Sequence, residues 1–408
     1  MKIGILAYHS VCNFGAFLQL LSTVEYLKVH GHSPLVINWV PKDLEQTYQR
    51  VSIPKVVSMF ARERSVYYPL SDLCRTDEDI AEVILKEKIA AVIIGSDAVC
   101  QHHPLFERML FPTKTIIHIS HYTSDRMYPN PFWGTFNQYL NPKVPVAVIS
   151  ASSQDSQFQY IKGHLKHQMK EAILEYKYCS VRDDWSQRMI SYLTDGAIIP
   201  DVTPDPVFAF NMNAGHLLPS RKDILNRYHL PENYLLISFK NGRYISQTWI
   251  NDFAESAKQK GMECVKLPYA DCKAFGNLAY DVGDCISPLD WYALIKYSCG
   301  YIGNNMHPIV VALHNGIPFF SFDNYGTVKF RGLLTNEKSS KIFHILTAAG
   351  LLENRVFEKS KDYVMPKPDA VLNRILNFNL TKEISFAESY YRKYSEMMNK
   401  AIISLQTL

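Results

Sequence analysis

The chain has 408 residues, 47% hydrophobic and 20% charged, a balance that excludes a disordered or low-complexity protein and a length that calls for two domains. A net charge of +4, with 43 Lys and Arg spread along the chain, excludes a densely basic nucleic-acid binder and suits anionic substrates or an anionic membrane surface. Eight cysteines without C-x-x-C spacing, several inside apolar runs (Cys179, Cys264, Cys299), point to free thiols in a reducing, cytoplasmic setting. The apolar run Ile3 to Tyr8 is too short for a signal peptide, and no stretch reaches the length of a membrane span. Any work at a membrane is therefore expected to be peripheral, at its inner face.

Residues 2–8 (KIGILAY) form an apolar run between polar neighbours, a buried strand. A turn with His9, Ser10, Asn13 and Gly15 follows, then Phe17, Leu18, Leu21, Val24 and Leu27 recur at helical spacing up to the capping Gly31. Ser33 to Trp39 opens the next strand. Further strands are expected at 89–94, 115–120, 144–150, 178–182 and 197–202, with helices between many of them. That alternation implies a parallel sheet flanked by helices.

Pro204, Pro206, Pro219 and Pro231 punctuate 204–232, where periodicity is lost, and mark a domain boundary. Strands at 233–239, 262–267, 299–303 and 317–322 then alternate with helices at 247–260, 288–297 and 308–315. The expected division is an α/β domain over 1–204, a second over 205–383, and a long amphipathic C-terminal helix over 384–408. That helix carries Tyr390, Tyr391 and Tyr394 at a spacing that suits packing against a domain. Two doubly wound domains then face each other across a cleft, and ligands in such sheets bind beyond the carboxyl ends of strands.

The residues just after strands are therefore the candidates for chemistry. In CGYIGNNMHPIVVALHNGIP (299–318) a strand ends near Gly303, and Pro308 suits a first helical position. That places His307 at the helix N-cap, behind Asn304 and Asn305, beside free backbone N–H groups that hold phosphate or carboxylate well. The helix dipole favours its neutral imidazole, which can trade protons near neutral pH; a plain capping histidine is the alternative. Ser96 and Asp97 follow the strand 89–94 as substrate contacts or turn caps, and Arg182 follows 178–181 as an anion grip or a surface ion pair. Lys240 and Arg243 offer anion contacts after 233–239. The first turn, with Asn13, Gly15 and Gln19, lacks G-x-G-x-x-G and a P-loop lysine, so nucleotide binding there is not supported. Cys100, His102 and His103 lack the spacing of a metal site, and none is expected. No G-x-S-x-G elbow, H-E-x-x-H or kinase motif set is present.

Five segments together resemble the polysaccharide pyruvyl transferase family, in the family's order. They are KIGILAYHSVCNFGAFLQLLSTVEYLKVHGH at the start, VIIGSDAVC at 92–100, CSVRDDWSQRMI at 179–190, PDPVF at 204–208 and SPLDWYALIKYSCGYIGNNMHPIVVALHNGIPFF at 287–320. The resemblance implies two facing Rossmann-like domains of glycosyltransferase-B-like arrangement. It also implies transfer from phosphoenolpyruvate, as donor substrate and with no further cofactor, to two hydroxyls of a sugar in a cell-surface polysaccharide or its precursor. The products are a pyruvate ketal and phosphate. The family's R-x-H histidine maps onto His307, implied to act in acid/base chemistry or phosphate contact, and its S-V-R-[DE] arginine maps onto Arg182. Donor contacts are then expected from Arg182, Lys240, Arg243, Asn304 and Asn305, with the second domain as the donor side and the first as the acceptor side. Acceptor contacts are expected from Asn13, Gly15, Gln19, Ser96 and Asp97. The acceptor is a saccharide, free or lipid-linked, and no nucleic acid is a partner. Two positions depart from the pattern: Asn305 stands where the family has Arg, and Cys100 where it has Trp. Asn305 carries no charge, so another cation (Lys240, Arg243, Lys329 or Arg331), a different donor, or a lost activity follows. A glycosyltransferase with a nucleotide-sugar donor, or a silent binding or assembly subunit, stay open as alternatives.

Overall fold

The computed structural model describes residues 1–51, 53–110, 118–154, 156–243, 245–329 and 334–406. Its two large sheets grow from the apolar runs read above. The first comprises β1 (Lys2–Leu6), β2 (Ser33–Trp39), β3 (Leu70–Cys74), β4 (Ala91–Asp97), β5 (Val146–Ala151), β6 (Tyr178–Val181) and β7 (Asp201–Val202). They lie in the order β3-β2-β1-β4-β5-β6-β7, every pair parallel. The second comprises β8 (Tyr234–Ser238), β9 (Glu263–Lys266), β10 (Tyr280–Asp281), β11 (Gly300–Gly303), β12 (Phe319–Asp323) and β13 (Arg355–Phe357). Its order is β10-β9-β8-β11-β12-β13, again all parallel. Counted within its own domain, the second sheet runs 3-2-1-4-5-6, the order of a doubly wound nucleotide-binding fold, and the first runs the same way with a seventh strand at its edge. The central strands are buried throughout, because helices cover both faces of a parallel sheet.

Five helices position the site: α1 (Phe14–Val29), α2 (Pro288–Lys296), α3 (Met306–Asn315), α4 (Lys341–Ala349) and α5 (Leu380–Gln406). α1 starts at Asn13, whose side chain accepts a hydrogen bond from the Ala16 N–H at 3.2 Å. It is buried on all sides from Phe14 to Leu27, which a helix tolerates only when it is enclosed. The enclosing elements are the first sheet, the 206–213 segment, α2 and α5. Phe14 stacks on Trp291 of α2 at 4.9 Å between centroids, so α1 is a shared wall of both domains. One apolar cluster runs from Ile3 and Val24 through Leu236 and Ile309 to Tyr394 and Ile402.

The expected C-terminal helix forms, and it crosses both domains rather than packing on one. Tyr394 is buried edge-on against Tyr26 of α1, and its hydroxyl accepts a hydrogen bond from Asn213 at 3.2 Å. Tyr390 packs on Phe208, and Met397 receives the Ser150 hydroxyl. In the first turn of α5, Glu383 is buried, and neither carboxylate oxygen has a partner among the described residues. Burial pushes its carboxyl up to about 9. The folded chain thus keeps a proton that the unfolded chain releases in the ordinary glutamate range, and stability falls as pH rises towards 9. Glu383→Gln is expected to raise the unfolding free energy from urea melts at pH 8 by on the order of 3–5 kcal/mol, and far less at pH 5. An equal change at both pH values would contradict this.

Several expected elements differ. The strand expected at 115–120 falls partly outside the described residues, and His118–Ile119 pairs antiparallel with Met109–Leu110 in a separate ribbon. Both residues of that short strand are exposed, so they offer no apolar face to the main sheet. The strand expected at 197–202 shrinks to Asp201–Val202 at the sheet edge. Cys179 and Cys299 are half-buried, whereas Cys264 is buried; all eight cysteines are free. No described helix is long and apolar enough to cross a membrane.

Candidate functional site

In a doubly wound sheet the crevice lies where the strand order reverses, beyond the carboxyl ends of the two central strands. Here those are β1 and β4 in one domain, β8 and β11 in the other, and their loops meet. Cys12, Asn13, Gly15 and Asp97 come from the first pair, and Lys240, Asn304, Asn305 and His307 from the second. With Tyr48, Tyr269, Asp271, Tyr325 and Lys341 they line a cavity of about 370 Å³. Cavities of about 580 Å³, bounded by Arg182, Asp205 and Met306, and about 310 Å³, bounded by Asp183 and Trp185, adjoin it; Lys341 lies on the wall of all three.

His307 sits two residues deeper in α3 than its sequence context implies. The N-cap is Asn305, so His307 is the second helical residue and Pro308 the third. Proline is accepted there because the first N–H groups of a helix lack intrahelical partners in any case. The imidazole is buried and abuts Gly15 of α1: a Cβ built on Gly15 would collide with ring atoms Nδ1, Cε1 and Cγ. Its Nε2 lies 3.4 Å from Gln19 Nε2. Burial pushes the imidazole down to about 4; Asp205 and Asp97 oppose that, and Lys341 and Arg182 reinforce it. The ring is neutral at pH 7, with burial as the main cause rather than the helix dipole alone.

Gln19 Nε2 also donates to Asp205 Oδ2 at 2.5 Å. Asp205 opens the turn Pro206–Ala209, its Oδ1 accepting the Val207 N–H at 3.0 Å. Arg182 lies between two carboxylates, with Nη1 3.3 Å from Asp205 Oδ2 and Nη2 3.1 Å from Asp97 Oδ1. A continuous chain therefore runs from His307 through Gln19, Asp205 and Arg182 to Asp97. Burial raises the Asp97 carboxyl, but Arg182, His307 and Lys341 outweigh it and hold it below the usual carboxylate range. Burial disfavours the Arg182 cation, but Asp97 and Asp205 outweigh it and reinforce the charge. Arg182 Nε has no partner among the described residues, and both terminal nitrogens are committed to carboxylates.

Of the other expected residues, Asn305 and Asn13 line the cavity, and the Asn305 side chain makes no capping bond. Asn304 is buried and accepts a hydrogen bond from the Tyr269 hydroxyl. Ser96 is buried behind Asp97, and its hydroxyl has no partner among the described residues. Lys240 reaches the cavity but pairs with Asp271 at 2.7 Å. Arg243 sits on an exposed turn and lines none of the three cavities. Arg331 and the Lys329 side chain lie outside the described residues. His102 Nδ1 accepts the Tyr128 N–H, while His103 pairs with Glu107. His314 bonds the Val310 carbonyl and the Tyr292 hydroxyl, a structural role.

Asp205 and Lys341 are the site residues that reasoning from the strand ends misses. Asp205 lies in the proline-punctuated segment, where its position before Pro206 was the available signal. Lys341 opens a helix far along the chain, and nothing local marks it.

The fold is that of solved nucleotide-sugar enzymes. A UDP-GlcNAc 2-epimerase from Neisseria meningitidis bound to UDP-GlcNAc superposes with a TM-score of 0.58 at 10% identity, covering 99% of this chain and 100% of that one. A UDP-N-acetylglucosamine 2-epimerase from Rickettsia bellii gives 0.51 at 11% identity, covering 99% and 97%. Both likenesses concern the two-domain, glycosyltransferase-B-like arrangement alone. No curated protein sequence matches the chain significantly. The profile of the polysaccharide pyruvyl transferase family matches residues 13–325. That span begins at the Asn13 cap, takes in Asp97, Arg182, Asp205 and His307, and ends at Tyr325 on the cavity wall, so the chain belongs to the polysaccharide pyruvyl transferase family.

Proposed function

We propose that the protein transfers a pyruvate ketal from phosphoenolpyruvate to a saccharide of a cell-surface polysaccharide or its precursor, free or lipid-linked. In this reading it works in the cytoplasm or at the inner face of the membrane. The observation that carries the reading is the pairing, on one cavity wall, of a neutral imidazole (His307) with an ammonium group (Lys341) at the facing switch points of both sheets. The ketal needs both: a base for the attacking hydroxyl and positive charge for the donor's carboxylate and phosphate.

A chemical course follows. His307 takes the proton of the first sugar hydroxyl as that oxygen attacks C2 of the donor, and returns it to C3 as the double bond is lost. The second hydroxyl then displaces phosphate from C2, closing the ketal ring, and its proton leaves on the phosphate. The positive end of α3 and nearby cations stabilise the leaving phosphate. Gln19 and Asp205 hold the imidazole from behind.

Phosphoenolpyruvate at a hundredfold excess over its Kd is expected to stabilise the protein by about 2.7 kcal/mol, read as a rise in thermal midpoint. With a suitable acceptor it is expected to release phosphate. A midpoint raised by uridine or guanosine diphosphate sugars and not by phosphoenolpyruvate would instead identify a nucleotide-sugar glycosyltransferase. No response to either would mark a silent binding subunit.

A further inference from the structure

Lys341 is set as a rigid cation at the meeting point of the three cavities. The preceding residue, Ser340, caps α4, its hydroxyl accepting the Ile342 and Phe343 N–H groups. The same hydroxyl donates to Asp323 Oδ2 at 2.6 Å, and Asp323 in turn binds Arg355 Nε at 2.7 Å. These bonds pin the start of α4 to the end of β12 and the start of β13. The Lys341 ammonium stands 4.6 Å from the Tyr325 ring centroid, a cation–π contact, and no described carboxylate lies within ion-pairing distance of it.

Of the neighbouring cations, Arg182 is committed to Asp97 and Asp205 and Lys240 to Asp271, while Lys338 and Lys359 line only the adjoining cavities and not the one that holds His307. The charged and titratable groups facing Lys341 are Arg182, Asp97, Asp183 and Asp205 from the first domain, and His307, Tyr325 and His344 from the second. Without Lys341, three carboxylates would oppose one guanidinium, a wall that repels an anionic donor.

We propose that the Lys341 ammonium is the cation that binds the anionic end of the donor, supplying from α4 the charge that Asn305 cannot carry. The role rests on the proposed donor, and Lys341 lies beyond the matched span of residues 13–325. Burial pushes the ammonium down to about 8, Arg182 adds to that, and Asp97, Asp205 and Asp183 oppose it. The sign for binding is fixed: the charged form prevails below about pH 8, so affinity for the donor falls as pH rises through it.

The test is calorimetric titration of the full chain with phosphoenolpyruvate, inorganic phosphate and pyruvate from about pH 6.5 to 9.5, for wild type, Lys341→Met and Lys341→Arg. Lys341→Met is expected to weaken phosphoenolpyruvate binding about 10–150-fold at pH 7, the fold-change of a lost charge-assisted contact. It should also abolish the alkaline fall, and raise KM more than it lowers kcat. Lys341→Arg is expected to keep most of the affinity and hold it flat to pH 9.5, because guanidinium does not titrate there. A matching loss in the phosphate arm places the ammonium on the phosphate, and one in the pyruvate arm on the carboxylate; either supports the role. Wild-type affinity and alkaline fall retained in Lys341→Met would overturn it and leave the donor standing. Lys341-dependent phosphate binding in a protein blind to phosphoenolpyruvate would keep Lys341 and overturn the donor.

Discussion

His307→Ala is expected to lower kcat/KM for phosphoenolpyruvate about a thousandfold, within the span that a positioned acid–base group contributes. The neutral imidazole is active above its pKa, so its pushed-down value of about 4 keeps the wild-type rate free of a histidine limb until well below pH 6. An ordinary histidine would cost activity already near pH 6.5. Gly15→Ala is expected to do nearly as much damage without touching the imidazole's chemistry. The new methyl group would overlap ring atoms of His307, and the buried ring has Gln19 behind it. Either α1 moves, pulling Phe14 from Trp291, or the ring rotates away from the cavity. Steady-state kinetics on Gly15→Ala, with the thermal midpoint measured alongside, decide the matter. Undiminished activity would mean that the ring position does not matter.

Arg182→Met is expected to cost about 3–5 kcal/mol of stability at pH 7, as removal of one member of a buried ion network does. It removes the guanidinium that binds both Asp97 and Asp205 and leaves Lys341 as the cation acting on them, inside a cluster where Arg182 now holds Asp97 below its usual range. In the wild type that depressed carboxyl contributes stability above the ordinary aspartate range, which is lost on acidification through the lower folded value. In the variant the sign reverses: without Arg182, burial pushes the Asp97 carboxyl up, so acidification should relieve the uncompensated charge and narrow the gap to wild type. Urea melts at pH 7 and pH 5 measure this. A gap that widens at pH 5 would show that Arg182 acts by packing instead of charge.

Much of this arrangement was readable in the chain because a parallel strand covered on both faces is an unbroken apolar run. IAAVII, VPVAVIS and NYLLISF announce β4, β5 and β8 directly. The edge strands β3 (LSDLC) and β13 (RVF) escape that rule because they are short and half-exposed. Residues at strand ends were legible for the same topological reason, and His307, Asp97, Arg182 and Lys240 were reached that way. Their pairing was not. That Arg182 is saturated by two carboxylates, and that Gly15 abuts the His307 ring across the domain boundary, depends on how two sheets dock, which no local pattern encodes. Asp205 and Lys341 were missed because a turn and a loop return them to the cleft from outside the strand ends.

The crossing of α5 over both domains bears on how the chain is made. During synthesis, N-terminal elements emerge and collapse first. Yet the seats for Tyr394, Met397 and Met398, beside Tyr26, Ser150 and Asn213, are filled only by the last helix described. Until that segment leaves the ribosome, the nascent first domain presents a sticky, half-finished surface. Chaperone dependence should therefore track the arrival of α5, and ribosome-stalled chains lacking it should be more protease-sensitive in the first domain than released ones.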